Sequence, residues 1–157
     1  MPRRPNYPRH PRLLDPEAYV EAADNRLLDA EVLRDAKRPA GAFYLAGLAV
    51  EIYLKAALLK KNPSLNNSRK QWTLRETKLR KLLLEQHDLG GLLDEQPDVE
   101  AALQRMRGTD FDRRGLQRAL GKWAVAVRYD PGKVPVQAPD PLIETARNLK
   151  DLTHDAR

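Results

Sequence analysis

This chain of 157 residues contains no cysteine, so its sequence excludes disulfides, thiolate metal ligands and a cysteine nucleophile. The absence of disulfides suits the cytoplasm, where we expect the protein to be located. Aromatic residues make up only 6% of the chain, and there are three histidines. With histidines so few and so dispersed, we expect no metal ion and no other cofactor. The abundant leucine, alanine, arginine and acidic residues favour helices.

Long apolar runs are almost absent as well. The N-terminus has no apolar stretch of the kind that marks a secretory signal. The one apolar run, residues 40–59, carries Glu51 and Lys55 near its middle, whereas a membrane span needs about 20 mostly apolar residues. We interpret this run as the buried helix of a single domain and expect no membrane partner.

Charge is unevenly distributed along the chain. The net charge is +6, with a basic Pro/Arg-rich stretch at 1–14, a basic segment at 60–81 and an acidic band at 88–100. A basic segment is a typical footprint for phosphate backbones, although a merely solvated face gives the same pattern. The candidate nucleic-acid-binding residues are Lys60, Lys61, Arg69, Lys70, Arg75 and Lys78.

The first half of the chain shows clear helix boundaries. Four prolines within 1–14 predict a flexible basic arm, and the domain proper then covers 15–157. Asp15-Pro16-Glu17 is typical of a helix start, and this helix is expected to reach Lys37 with Leu28 in its apolar stripe. A second helix is predicted from Pro39 to Lys61, followed by a loop over 62–71.

Further helices follow in the second half. Thr73 and Glu76 form a capping-box pattern before a helix to about Gln86, and Asp88 is placed to cap a short helix to about Glu95. Helices are also predicted at 97–107, 111–128 and 140–154, with an extended stretch at 133–139. We therefore predict an all-α antiparallel up-and-down helical bundle with four main helices and short extra ones.

Three motifs give the chain a family likeness. They are Ala-Gly-Leu-Ala-Val-Glu-x-x-Leu-Lys-Ala-Ala-Leu at 46–58, His-Asp-Leu at 87–89, and Trp123 ahead of Arg128-Tyr129. Over roughly 16–155 the chain resembles the HEPN domain family of prokaryotic helical proteins. The resemblance implies a homodimer, often paired with a minimal nucleotidyltransferase, in toxin–antitoxin or defence systems. It also implies one of two functions: binding of RNA, nucleotide or a protein partner, or metal-independent RNA cleavage through an Arg-x(4–6)-His motif.

The ribonuclease motif fits Arg147 and His154, with the polar Asn148 after the arginine. Arginine would stabilise the developing phosphorane charge, and histidine would exchange protons with the 2′-hydroxyl or the leaving oxygen. The other histidines meet the spacing too, because Arg80 precedes His87 and Arg4 precedes His10. The first hypothesis is therefore a binding module, the second is an endoribonuclease using Arg147, Asn148 and His154, and the third is a purely structural helical protein.

Other candidates also have two interpretations. Glu51 and Lys55 are four residues apart, so they either pair with each other, or with Arg128 where the helix reaches the surface, or contact a ligand. His87 and Asp88 form either a proton relay or a capped corner. Trp123 and Tyr129 either stack on a base or pack in the core, and Arg128 with Tyr129 marks a family position without an assigned role.

Overall fold

The computed structural model describes residues 14–66, 71–107, 114 and 134–155. These residues form helices, turns and loops without a strand, which confirms the all-α class. The helices among them are α1 (Pro16–Asp35), α2 (Pro39–Lys61), a short 3-10 helix (Pro63–Asn66), α3 (Leu74–Leu84), α4 (Leu89–Asp94), α5 (Pro97–Arg107) and α6 (Asp140–Asp155).

Helix α1 begins as its sequence predicts and ends slightly earlier. The Asp15 side chain accepts a hydrogen bond of 3.0 Å from the Glu17 amide, and Pro16 occupies the first turn. The helix ends at Asp35 rather than Lys37, because Lys37 has a left-handed φ of 56°. The amides of Lys37 and Arg38 donate to the carbonyls of Arg34 and Leu33, which is the Schellman arrangement.

Helix α2 is the core of the bundle and has the predicted bounds. Thirteen of its 23 residues are buried. It is long and apolar enough to cross a membrane by length and composition alone, and 72% of that apolar window is buried inside the protein. Its position among the other helices accounts for its apolar sequence.

Side-chain contacts define the directions of the three long helices. Asp24 contacts Tyr53 while Glu17 contacts Lys60, so α1 and α2 are antiparallel. Helices α1 and α6 are antiparallel too, because Glu31 pairs with Arg147 and Asp24 with His154. Helices α2 and α6 therefore run in the same direction, as the second and fourth members of an up-and-down bundle do. Apart from residue 114, the helix predicted at 111–128 lies outside the described residues.

The local capping signals of α3 and α4 are confirmed. Thr73 and Glu76 exchange both capping-box hydrogen bonds, 3.1 and 2.8 Å long, although α3 ends at Leu84 rather than Gln86. Asp88 caps α4 by accepting from the Gly91 amide at 2.9 Å. A Cβ at Gly91 would lie 2.6 Å from Oδ2 of Asp88, so a larger residue there would displace the capping carboxylate.

Three details differ from the sequence-based expectation. Leu28 is 59% exposed, because the buried stripe of α1 is supplied by Val20, Ala23, Leu27 and Ala30. The loop after α2 contains the 3-10 helix Pro63–Asn66, which Asn62 starts by accepting from the Leu65 amide. The stretch before α6 is turned rather than extended, since the amides of Ala138 and Asp140 bond back to the carbonyls of Pro135 and Gln137.

Candidate functional site

Arg147 lies on a partly exposed face formed by α1 and α6. Its Nε atom is 2.7 Å from Oε1 of Glu31 on α1, and Nη1 is 3.8 Å from Oε2 of Glu144 on α6 itself. The Arg147 side chain remains 46% exposed. The guanidinium is thus held by carboxylates on a surface that a ligand can reach.

His154 lies on the same face and contacts a different acid of α1. Its Nε2 atom is 3.2 Å from Oδ2 of Asp24, and Nζ of Lys150 is 3.7 Å from Oδ1. The hydroxyl of buried Tyr53, on α2, donates to the same carboxylate. Burial, followed by the hydrogen bond to Asp24, raises the pKa of Tyr53 far above its usual range, so this hydroxyl stays a donor.

Helix geometry explains why these groups come together. Arg147, Lys150 and His154 are three and then four residues apart, which places them in one row along α6. Glu31 and Asp24 are also seven residues apart, so antiparallel α1 offers one acid to each end of the row. The rise between Arg147 and His154 is about 10 Å. We call Arg147, Lys150 and His154, together with Asp24 and Glu31, the α1–α6 face.

Asn148, the third proposed catalytic residue, does not join this face. It is only 9% exposed and points into the bundle beside buried Leu149. Within the described part of the chain its Nδ2 atom is buried without a hydrogen-bond partner. The structure therefore brings Arg147 and His154 to a common surface and separates Asn148 from them.

Glu51 and Lys55 form a buried pair. Nζ of Lys55 is 2.7 Å from Oε1 of Glu51, and their side chains are 9% and 3% exposed. The expected pairing with each other is confirmed, and the pair lies beneath the corner that joins α3 and α4. The alternative partner, Arg128, lies outside the described residues. Lys55 also donates to the Gln86 carbonyl at 3.1 Å, which ties α2 to that corner.

His87 covers this buried pair from the protein surface. Its Nδ1 atom lies 3.0 Å from both carboxylate oxygens of Glu51, while 66% of the His87 side chain is exposed. Of the two readings of His87 and Asp88, the structure supports the capped corner: Asp88 caps α4, and His87 reaches back to α2. The contact between His87 and Glu51 joins residues 36 positions apart, and no local sequence signal indicated it.

Arg80 and His87, the second pair with the ribonuclease spacing, contact different parts of the protein. Arg80 belongs to α3, whereas His87 lies beyond the end of that helix. The Arg80 guanidinium donates to the Leu65 carbonyl at 2.7 Å and lies 4.3 Å over the Trp72 ring. His87 is directed to Glu51 instead. The third match, Arg4 with His10, lies outside the described residues, as do Trp123, Arg128 and Tyr129.

The predicted basic segment divides into differently paired parts. Lys60 lies 3.3 Å from Glu17 and donates to the Thr153 carbonyl, while Lys61 pairs with Asp98 on α5. The hydrogen bond from Lys61 lowers the pKa of Asp98 below its usual value. Arg75 and Lys78 share Glu95, at 3.7 and 3.4 Å. Arg69 and Lys70 lie outside the described residues.

The basic side chains of the α1–α6 face are partly exposed. Two concavities built from described residues have volumes of about 510 and 170 Å³, and neither is lined by Arg147 or His154. In the same part of the chain, no group of three or more His, Asp or Glu side chains is placed to hold a metal ion. The face can therefore offer charge and proton transfer to an extended ligand more readily than enclosure to a small one.

No protein-family model, curated protein or solved structure matches this chain. The HEPN resemblance therefore remains a hypothesis that depends on the motifs at 46–58, 87–89 and 123–129.

Proposed function

We propose that this chain is a HEPN-like helical module that binds RNA through the α1–α6 face. The supporting observation is the row of Arg147, Lys150 and His154, which share one face of α6 and are 46%, 44% and 34% exposed. Phosphate oxygens accept hydrogen bonds from all three side-chain types when histidine is protonated. A row of two cations and a histidine at helical spacing suits a ligand with repeated phosphates.

The acids of α1 set the affinity of this face. Glu31 holds Arg147, and Asp24 contacts both Lys150 and His154, so RNA phosphates must compete with two carboxylates. Exposed ion pairs contribute about 0–1 kcal/mol, so a phosphate can replace the carboxylate at little cost. Before RNA arrives, the same pairs hold the cations in position.

Fluorescence anisotropy with a labelled single-stranded RNA tests this proposal. Arg147→Ala/Lys150→Ala should weaken binding, and the plot of log affinity against log salt should become shallower by about 1.4, since each lost phosphate contact removes about 0.7. Arg26→Ala/Arg105→Ala removes the same charge from exposed positions elsewhere. Equal weakening by both double variants would show that only net charge matters and would reject the α1–α6 face.

A second candidate function is metal-independent RNA cleavage at the same face. The observation that favours it is the contact of Asp24 with Nε2 of His154, since a carboxylate on one ring nitrogen orients the imidazole for proton transfer at the other. Arg147 would stabilise the phosphorane charge. Because about 10 Å separates Arg147 from His154 along the helix, one phosphate would be met by His154 of one subunit and Arg147 of a second copy.

Incubation of single-stranded RNA and transfer RNA with the protein in EDTA tests for cleavage. Cleavage by the wild type that is lost in Arg147→Ala/His154→Ala supports the enzyme. Intact RNA with both proteins would reject it and leave the binding function unaffected. The dimer is tested separately by light scattering, where a mass near twice 17.9 kDa is expected.

We also propose the cellular setting that the HEPN resemblance implies, a toxin–antitoxin or defence system with a nucleotidyltransferase as antitoxin partner. Expression of the chain alone should slow bacterial growth, and co-expression of the nucleotidyltransferase encoded beside it should restore growth. Normal growth with the chain alone would contradict this setting.

A further inference from the structure

We propose that the exposed side of α3 is a second nucleic-acid site, which binds single strands by stacking a base against the Trp72–Arg80 pair and by holding phosphates with Arg75, Lys78 and Lys81. We call this surface the α3 face. It extends the proposed RNA binding to a surface that shares no residue with the α1–α6 face, and it would bind even if the α1–α6 face were inert.

The stacking element is an aromatic ring paired with a fixed cation. The Arg80 guanidinium carbon lies 4.3 Å from the centre of the Trp72 ring, and the hydrogen bond to the Leu65 carbonyl holds it there. Both side chains are partly exposed. Guanidinium and indole planes are the surfaces on which unpaired bases stack, without regard to sequence. A base added to this pair would extend a stack that is already ordered.

Among the described residues, the positive charge of α3 exceeds the negative charge of the carboxylates in contact with it. Within Leu74–Leu84 there are four cations and one acid, Glu76, whose carboxylate serves the capping box and Ser64. Arg75 and Lys78 share the single carboxylate of Glu95 and are 76% and 77% exposed. The contacts of Arg80 described above are with a carbonyl and a ring, which carry no net charge. This differs from the α1–α6 face, where each cation contacts a carboxylate.

The helical repeat places Arg80 and the exposed cations of α3 around one surface, along which a single nucleic-acid strand can lie. Leu79, Leu82 and Leu83 are buried, so they define the inner side of α3. Arg80 lies on one flank of that side and Lys78 on the other, as their spacing requires, while Arg75 lies in the first turn, four residues before Leu79, and is exposed there. Between the flanks the surface carries exposed Lys81 and Leu74, which is 90% exposed. An apolar side chain among cations offers contact to a base or sugar as well as to phosphate.

Indole fluorescence provides the test, because the chain has two tryptophans. Trp123→Phe leaves Trp72 as the emitter, and the variant is titrated with oligoadenylate RNA, its DNA counterpart and inorganic polyphosphate. We expect quenching by the oligonucleotides and little by polyphosphate, which has charge but no bases. A response to both oligonucleotides identifies single strands in general, and a response to RNA alone identifies recognition of the 2′-hydroxyl.

Anisotropy with the same oligonucleotides gives a measurement that does not depend on the Trp123 substitution. Trp72→Leu should weaken binding about fivefold or more, the lower end of the effect of losing one stacking contact. Lys78→Ala/Lys81→Ala should lower the salt dependence, and Arg147→Ala/Lys150→Ala should leave the quenching of Trp72 unchanged. Circular dichroism confirms that each variant is folded.

Four results would overturn the α3 site, and the last of them separates it from the α1–α6 face. The first is no quenching of Trp72 at saturating oligonucleotide, and the second is equal quenching by polyphosphate. The third is tighter binding of polyglutamate than of oligonucleotide, which would assign the face to an acidic protein. If Arg147→Ala/Lys150→Ala abolishes all binding while Trp72→Leu changes nothing, the α1–α6 face alone carries RNA and the α3 proposal fails by itself.

Discussion

His87 and His154 each contact a carboxylate on another helix, and the two contacts differ in which partner is buried. In the first pair the Glu51 side chain is 3% exposed and His87 is 66% exposed. In the second, Asp24 and His154 are similarly accessible, at 29% and 34%. Each histidine also follows an arginine at the ribonuclease spacing, so the two histidines cannot be distinguished from the sequence pattern.

The difference in burial indicates that one histidine–carboxylate pair stabilises the fold and the other is available to a ligand. A buried carboxylate needs its donors whatever the solution contains, because an unpaired charge in the interior is costly. The contact of His87 with Glu51 therefore belongs to the fold, together with Lys55. The Asp24 carboxylate is accessible to water, so its contacts can be exchanged for a ligand. Only the second pair combines accessibility with an arginine on the same helix face.

Breaking the buried pair is the strongest test of this comparison. Lys55→Met removes the cation nearest Glu51 and should lower the free energy of unfolding by about 3–5 kcal/mol, as the loss of one partner of a buried ion pair does. Lys150→Met, which removes a cation beside Asp24 at the surface, should cost less than about 1 kcal/mol. Urea unfolding of both variants measures the contrast.

A double variant separates charge from packing in that result. Glu51→Leu/Lys55→Met removes both charges and should recover most of the stability lost in the single variant. A double variant as unstable as Lys55→Met would show that packing, rather than an unpaired carboxylate, accounts for the loss.

The histidines themselves give the next largest effect. His87→Ala removes a donor from the buried Glu51 carboxylate and should destabilise the protein by about 2 kcal/mol. His154→Ala leaves Asp24 in contact with Tyr53, Lys150 and water, so a loss below about 1 kcal/mol is expected. Thermal unfolding distinguishes them, and an equal loss in both would contradict the division of tasks.

Tyr53 provides a further test of the contact between Asp24 and His154, because it binds the same carboxylate. Its hydroxyl anchors Asp24, and Tyr53→Phe should cost about 1.5 kcal/mol at neutral pH. Because the folded pKa is raised, the wild type should lose stability as pH rises above about 10, where tyrosine ionises in the unfolded chain. The variant should lose stability less steeply over that pH range in urea titrations. Identical slopes would show that the Tyr53 hydroxyl is not held neutral by the fold.

The smallest effect on stability is expected for the exposed ion pair of Asp98 with Lys61. Asp98, whose side chain is 66% exposed, pairs with Lys61. Asp98→Asn should cost less than about 1 kcal/mol at pH 7. The lowered pKa means that this contribution is present above about pH 4 and disappears as acid protonates the folded carboxyl. A difference between variant and wild type that persists at pH 2 would indicate another cause.

Features that depend on a few neighbouring residues could be predicted from the sequence. The caps at Asp15, Thr73 and Asp88 are examples, because each side chain bonds to an amide two or three residues away. The prediction that Leu28 belongs to the apolar stripe of α1 is wrong, because the apolar character of a residue does not show whether another helix covers it.

The candidate site depended on contacts over long distances in sequence. Asp24 meets His154 across 130 positions, and Glu31 meets Arg147 across 116. The spacing rule therefore found three matches and could not choose among them. Arg80 and His87 do not share a helix, because α3 ends at Leu84, before His87. Arg147 and His154 do share one, because α6 runs from Asp140 to Asp155. Neither helix end could be located closely enough from the sequence to separate the two matches.

The most direct test of the α1–α6 face compares RNA affinity in Glu31→Gln, Arg147→Ala and the control Asp29→Asn, which removes an acid from the opposite side of α1. If Glu31 restrains a phosphate-binding Arg147, Glu31→Gln should bind single-stranded RNA about two- to fivefold more tightly, which corresponds to the release of one exposed ion pair. Arg147→Ala should bind more weakly, and Asp29→Asn should bind like the wild type. Weaker binding in Glu31→Gln, or the same change in Glu31→Gln and Asp29→Asn, would contradict the account.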